Sequence, residues 1–146
     1  MKIYLDVCAI QRPLDTPNQV RILLESEAVL GILALCDVGQ LMLVSSEALT
    51  YETEQNPLLV RQEHASGILA KAKIFVRLST KVNSRAAQLV ELGFKPLDAL
   101  HLSLAEAGKV DYFCTCDDQI LQKSRHMTDL CVKVVSPIEL VQEIEK

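Results

Sequence analysis

Lys2-Ile3-Tyr4-Leu5-Asp6 opens the chain as an alternating, β-favouring run that closes on an acid. It predicts a first strand, and strand and helix then alternate to the end. Further strands are predicted over 41–44, 74–78, 112–115 and 132–135. Thr16-Pro17-Asn18-Gln19 has the form of a helix start, with Thr at N-cap and Pro at N1. The helix it opens carries Val20, Leu23, Leu24, Ala28, Leu30 and Leu33 on one broad apolar face and stops near Gly39. Residues 11–15 read as loop. Ser45 or Ser46 caps a helix that ends by Asn56-Pro57, and further helices are predicted over 58–72, 80–92, 96–108 and 117–125. Ser136-Pro137-Ile138-Glu139 is a capping box that opens the last one. This alternation predicts an α/β fold with a mostly parallel sheet, covered by helices on both faces.

Composition sets the outer bounds. The chain has 146 residues, about one domain, and no break in composition divides 1–146. With 49% hydrophobic residues, 23% charged and only 5 Gly and 5 Pro, disorder and collagen-like repeats are excluded. Aromatic residues are 4% with no Trp, so the core is aliphatic. A net charge of −4 argues against a basic nucleic-acid coat protein, though not against a nuclease, whose site acids count in the total. The five cysteines are odd in number and form no Cys-x-x-Cys, which fits reduced thiols in a cytoplasm. Met1 to Asp6 reads as strand rather than secretory signal, and no apolar run approaches the ~18 residues of a membrane span.

The acids carry the chemistry. Asp6 stands where the first strand ends, and Asp117 just after the fourth. In open α/β sheets, ligands bind beyond the carboxyl ends of strands where the strand order reverses. Asp117 could equally cap the helix that follows it. For Asp6 that alternative is weaker, since no helix is expected right after it. Asp98 lies in the first turn of the helix opened by Pro96, where an acid also complements the helix dipole. Glu52 lies in the helix after the second strand, with Glu47 and Glu54 as rivals.

Four segments together resemble the PIN-domain nuclease family and its VapC-like ribonuclease toxins. Tyr4-Leu5-Asp6-Val7-Cys8-Ala9-Ile10-Gln11-Arg12-Pro13 resembles the family's first strand and aspartate. Residues 45–57 resemble the helix that supplies the second acid. Leu97-Asp98-Ala99-Leu100-His101-Leu102-Ser103-Leu104-Ala105 resembles the third-acid helix. Phe113-Cys114-Thr115-Cys116-Asp117-Asp118-Gln119-Ile120-Leu121 resembles the fourth-acid turn, with Thr115 two positions before Asp117. The resemblance implies a three-layer α/β/α sandwich whose parallel sheet of four to five strands runs in the order 3-2-1-4-5. It implies a metal-dependent endoribonuclease, the toxin of a toxin–antitoxin pair, with a small antitoxin and a homodimer as partners.

Crowded carboxylates cannot all stay ionised without a cation. Oxygen ligands suit Mg²⁺ or Mn²⁺, and two ions about 4 Å apart could serve phosphodiester hydrolysis. The assignments are Asp6, Asp98 and Asp117 as metal ligands and Glu52 as the acid that orients the attacking water or takes its proton. Thr115 would hydrogen-bond a carboxylate or phosphate oxygen. Asp118 reads as a helix-start acid that could stand in for Asp117. His101, at i+3 from Asp98, reads as a packed helix histidine or a residue just behind the acids. Lys71, Lys73, Arg77, Lys81 and Arg85 form a stretch without acids, so Lys81 and Arg85 join Arg12 as candidate RNA contacts. The competing readings are a solitary RNA-processing nuclease without an antitoxin and a non-catalytic α/β binding module, PIN-like or receiver-like. A receiver needs an Asp where the third strand ends, and Arg77-Leu78-Ser79 has none.

Overall fold

Five strands form one all-parallel sheet in the order β3-β2-β1-β4-β5 in the computed structural model, which describes all 146 residues. They are β1 (Lys2–Leu5), β2 (Met42–Ser46), β3 (Ile74–Val76), β4 (Tyr112–Cys114) and β5 (Lys133–Val135). β1 is central, with Tyr4 level with Val44 on one side and Phe113 on the other. The chain moves outward from β1 through β2 to β3, then crosses back to β4. The strand order therefore reverses between β1 and β4.

Alternation along the strands builds two cores. Tyr4, Val44 and Phe113 face one side, where α3 (Glu47–Glu54), α5 (Thr80–Glu91), α6 (Pro96–Ala107) and α7 (Asp118–Arg125) supply Leu49, Leu89, Leu102 and Ile120. Ile3, Leu5, Leu43, Cys114 and Val135 face the other. There α1 (Val7–Gln11), α2 (Val20–Asp37), α4 (Leu59–Leu69) and α8 (Pro137–Ile144) supply Ile10, Ile32, Ala65 and Leu140. The result is the expected α/β/α sandwich, with helices covering both faces as an all-parallel sheet requires.

Caps account for most helix starts. Ser46 accepts from the Leu49 amide, Ser79 from Val82, and Ser136 forms the full capping box with Glu139. Gly108 ends α6 where a Cβ would meet Val76 Cγ2 at 3.0 Å and Val44 Cγ1 at 3.2 Å, so the helix end lies close on the sheet.

Three expectations are corrected. A short helix, α1, does follow Asp6, and the Asp6 side chain caps it by accepting from the Val7 amide. Residues 12–14 form a 3-10 turn rather than open loop. The long helix starts at Val20, not after Thr16, and Gln19 makes no side-chain cap bond.

The fourth correction concerns the buried face of α2. Glu25, Val29 and Ile32 point inward, whereas Val20, Leu23, Leu24 and Leu30 are exposed. Glu25 can be buried because Arg12 reaches it at 2.7 Å and Arg21 at 3.3 Å. Ile32→Ala should therefore cost about 2–5 kcal/mol in urea unfolding, while Leu24→Ala should stay within about 0.5 kcal/mol. Equal losses would mean that α2 sits rotated from this arrangement.

Candidate active site

The reversal between β1 and β4 fixes the first two side chains. Asp6 follows β1 and Thr115 follows β4, and the pairing of Leu5 with Cys114 brings them together. Thr115 donates to Asp6 Oδ2 at 2.9 Å, and the Val7 amide donates to Oδ1 at 2.9 Å. The Cys8 thiol lies 3.4 Å from the same Oδ2. A hydrogen bond with Cys116 and burial push that thiol well up, so it remains a donor. Asp6 is 7% exposed. Burial raises its pKa and the charge of Glu52 adds to this, while His101 and the Thr115 hydrogen bond oppose it.

Asp117 is both a cap and a site-facing acid. Its Oδ1 accepts from the Gln119 amide at 2.8 Å and the Ile120 amide at 3.3 Å, which starts α7. Its backbone N–H donates to Thr115 Oγ1 at 3.1 Å, so one hydroxyl ties both aspartates together. Both cap bonds fall on Oδ1, which leaves Oδ2 without a protein donor.

Asp98 comes from the first turn of α6. Its pKa is raised by burial, then by the charges of Asp6 and Asp117. Three acids far apart in sequence thus share one field. Glu52 joins them from α3: oxygen or nitrogen atoms of Asp6, Glu52 and His101 lie within 4.8 Å of one another. Glu47 sits in the first turn of α3, about 7 Å along the axis from Glu52.

Asp118 points elsewhere. Arg21 grips it with two bonds of 2.9 Å and also donates to the Cys116 carbonyl. The bond to Arg21 holds the Asp118 carboxyl below its ordinary range. Arg21 thereby ties the start of α7 to α2, a contact that the sequence reading did not contain.

The basic candidates lie outside this crevice or are already paired. Arg12 is held by Glu25 and Asp15. Arg85 is held by Glu106 at 2.7 Å and by Asp129. Glu106 lies eight residues beyond Asp98 on α6, about 12 Å along the helix. Lys81 is exposed beside that pair and lines a groove with Arg85, Glu106 and Lys109.

His101 is 1% exposed, with Nε2 at 2.8 Å from Glu52 Oε1 and Nδ1 at 2.6 Å from Tyr4 Oη. Its i+3 spacing from Asp98 was the one sequence signal for this place. Tyr4 gave none, because an aromatic at an inward strand position reads simply as core.

No protein-family model and no curated protein matches the chain. The fold does recur among solved structures. The crystal structure of VapBC2 from Rickettsia felis bound to a DNA fragment from their promoter contains a chain that superposes with a TM-score of 0.61. The two chains are 14% identical, over 93% of this chain and 98% of that one. At that identity the likeness is one of fold: with the observed strand order, this chain has a PIN-like α/β/α sandwich similar to that chain's.

Proposed function

We propose that this protein is a metal-dependent endoribonuclease that hydrolyses RNA phosphodiester bonds, as the toxin of a toxin–antitoxin pair. The observation that carries the reading is the convergence of Asp6, Glu52, Asp98 and Asp117 at the strand-order reversal, with no Lys or Arg paired to any of them. The fold shared with a chain of VapBC2 supports it. So does the crevice position, where α/β folds bind ligands.

The donor set fits a hard divalent cation such as Mg²⁺ or Mn²⁺. Asp6 and Asp98 are shifted toward the neutral acid in the metal-free protein, and Asp117 Oδ2 lacks a protein donor. Asp6, Asp98 and Asp117 would hold the cation. When bound, it would polarise the phosphodiester and offset the charge that develops there. Thr115 keeps the Asp6 carboxylate aimed into the crevice, and Glu52 takes the proton of the attacking water.

A small antitoxin and a second copy of this chain are the partners that belong to this reading. No helix is long and apolar enough to cross a membrane. All five cysteines are free, which suits a reducing cytoplasm.

Purified protein should cleave RNA with Mg²⁺ or Mn²⁺ and stop in EDTA, with Asp6→Asn and Asp117→Asn inactive. Full activity in either variant would sink the assignment. For phosphate contacts, Lys81→Gln should lower the salt slope of RNA binding by about one. An unchanged slope would mean that RNA does not reach that end of α6.

Stability gives an independent check on Asp98. Its folded pKa lies above 3.8, so the folded state binds more protons than the unfolded state. Stability from this group therefore falls as pH rises from 3.8 through the raised value. Asp98→Asn escapes that loss. In metal-free buffer its melting temperature relative to wild type should climb between about pH 4 and about pH 7. Mn²⁺ should stabilise the wild type more than the variant. A gap that stays constant with pH would leave Asp98 as a helix-start residue only.

A further inference from the structure

Behind Glu52 runs a closed line of side chains that the nuclease reading leaves without a task. Ser46 precedes α3, Tyr4 lies on β1, His101 on α6 and Glu52 back on α3. Their contacts are 2.7 Å from Ser46 Oγ to Tyr4 Oη, 2.6 Å from Tyr4 Oη to His101 Nδ1, and 2.8 Å from His101 Nε2 to Glu52 Oε1. Ser46, Tyr4 and His101 are buried.

We infer that His101 is a positioning residue for Glu52, its ring fixed by Ser46 and Tyr4 so that Nε2–H donates to the Glu52 carboxylate. Its catalytic consequence rests on the nuclease reading of the site.

The direction follows from counting protons. The Leu49 amide donates to Ser46 Oγ at 3.2 Å, and a backbone amide can only donate. Ser46 must then place its own proton, and Tyr4 Oη is the acceptor within reach. The phenol proton of Tyr4 goes on to His101 Nδ1. Nδ1 is thereby an acceptor, and the ring proton sits on Nε2, facing Glu52. The reverse direction leaves the buried Ser46 proton without a protein acceptor.

Packing holds the ring in this orientation. Tyr4 stacks on Phe113 at 5.2 Å and meets the His101 ring edge-on at 5.8 Å. A ring flip would break both of its hydrogen bonds. With both nitrogens engaged by the protein, His101 is not itself a metal ligand, although it lies beside Asp6 and Glu52. Glu52 Oε1 is held from behind, and Oε2 is left for the crevice.

Long-range proton–nitrogen NMR on the metal-free full chain, with His101 assigned by His101→Gln, reads the tautomer. Nδ1 should be unprotonated and Nε2 protonated, with an Hε2 signal that resists exchange with water and shifts in Glu52→Gln. Tyr4→Phe keeps the stacking and removes the donor to Nδ1, so the single tautomer should be lost. In that variant kcat on RNA should fall about 10- to 100-fold with KM unchanged. A proton on Nδ1 in wild type, or a folded Tyr4→Phe with unaltered kcat, overturns the proposal. If wild type cleaves no RNA with Mn²⁺, the nuclease reading fails instead. The tautomer and the Glu52-dependent Hε2 shift then decide the positioning role alone.

Discussion

Asp6 is held at the one place where the strand order reverses, by a threonine just past the end of the neighbouring strand and an amide from its own helix. That pairing depends on β1 and β4 lying side by side in register, which the reversal of strand order creates. Thr115 is the pivot. Its hydroxyl donates to Asp6 and accepts from the Asp117 amide, so the end of β1 and the start of α7 cannot move apart without losing one of these bonds. Arg21 braces the same turn from outside through Asp118 and the Cys116 carbonyl. α6 delivers Asp98, and α3 delivers Glu52, to the frame these bonds hold.

Strands and most helix starts were legible because their signals are local. Alternating Ile3 and Leu5, the Ser136 capping box and Pro96 at N1 act within a turn or two, and each element appeared. The inward face of α2 was not legible, because it depends on partners far away in the chain. Glu25 is an acid on an amphipathic helix, and such a residue faces water unless something neutralises it. Arg12, thirteen residues earlier, does so. The apolar residues counted as the buried stripe, Leu23, Leu24 and Leu30, are about half exposed in consequence.

Asp6 and Asp117 were read from strand ends, whereas Asp98 and Glu52 lie within helices and were singled out by the family resemblance. Asp6 and Asp117 each cap a helix while lying close enough to Asp98 for their charges to raise its pKa. The cap and the site-facing carboxylate were set against each other for Asp117, yet a carboxylate has two oxygens and can serve both. What the sequence could not convey was the line from Ser46 through Tyr4 and His101. It joins three elements by hydrogen bonds whose direction appears only once every proton has a place.

Two buried acids in this molecule show why the crevice differs from ordinary structure. Glu25 is 2% exposed and Asp6 is 7% exposed. Glu25 has two arginines against it, the arrangement that makes a buried charge tolerable. Asp6 has only neutral donors, and its nearest charged neighbours include further carboxylates. Hydrogen bonds to the ionised form offset part of the burial, but its pKa stays raised. The same chain thus neutralises a structural acid with two arginines and leaves a second set of acids with no Lys or Arg in direct contact, only the fields of His101 and Lys95 opposing the rise. Such a local departure from electrostatic balance is characteristic of functional sites rather than of cores. A bound proton relieves part of that imbalance, as the raised pKa values of Asp6 and Asp98 show, and a bound cation would relieve more, which is the physical basis of the cation-dependent reading proposed above.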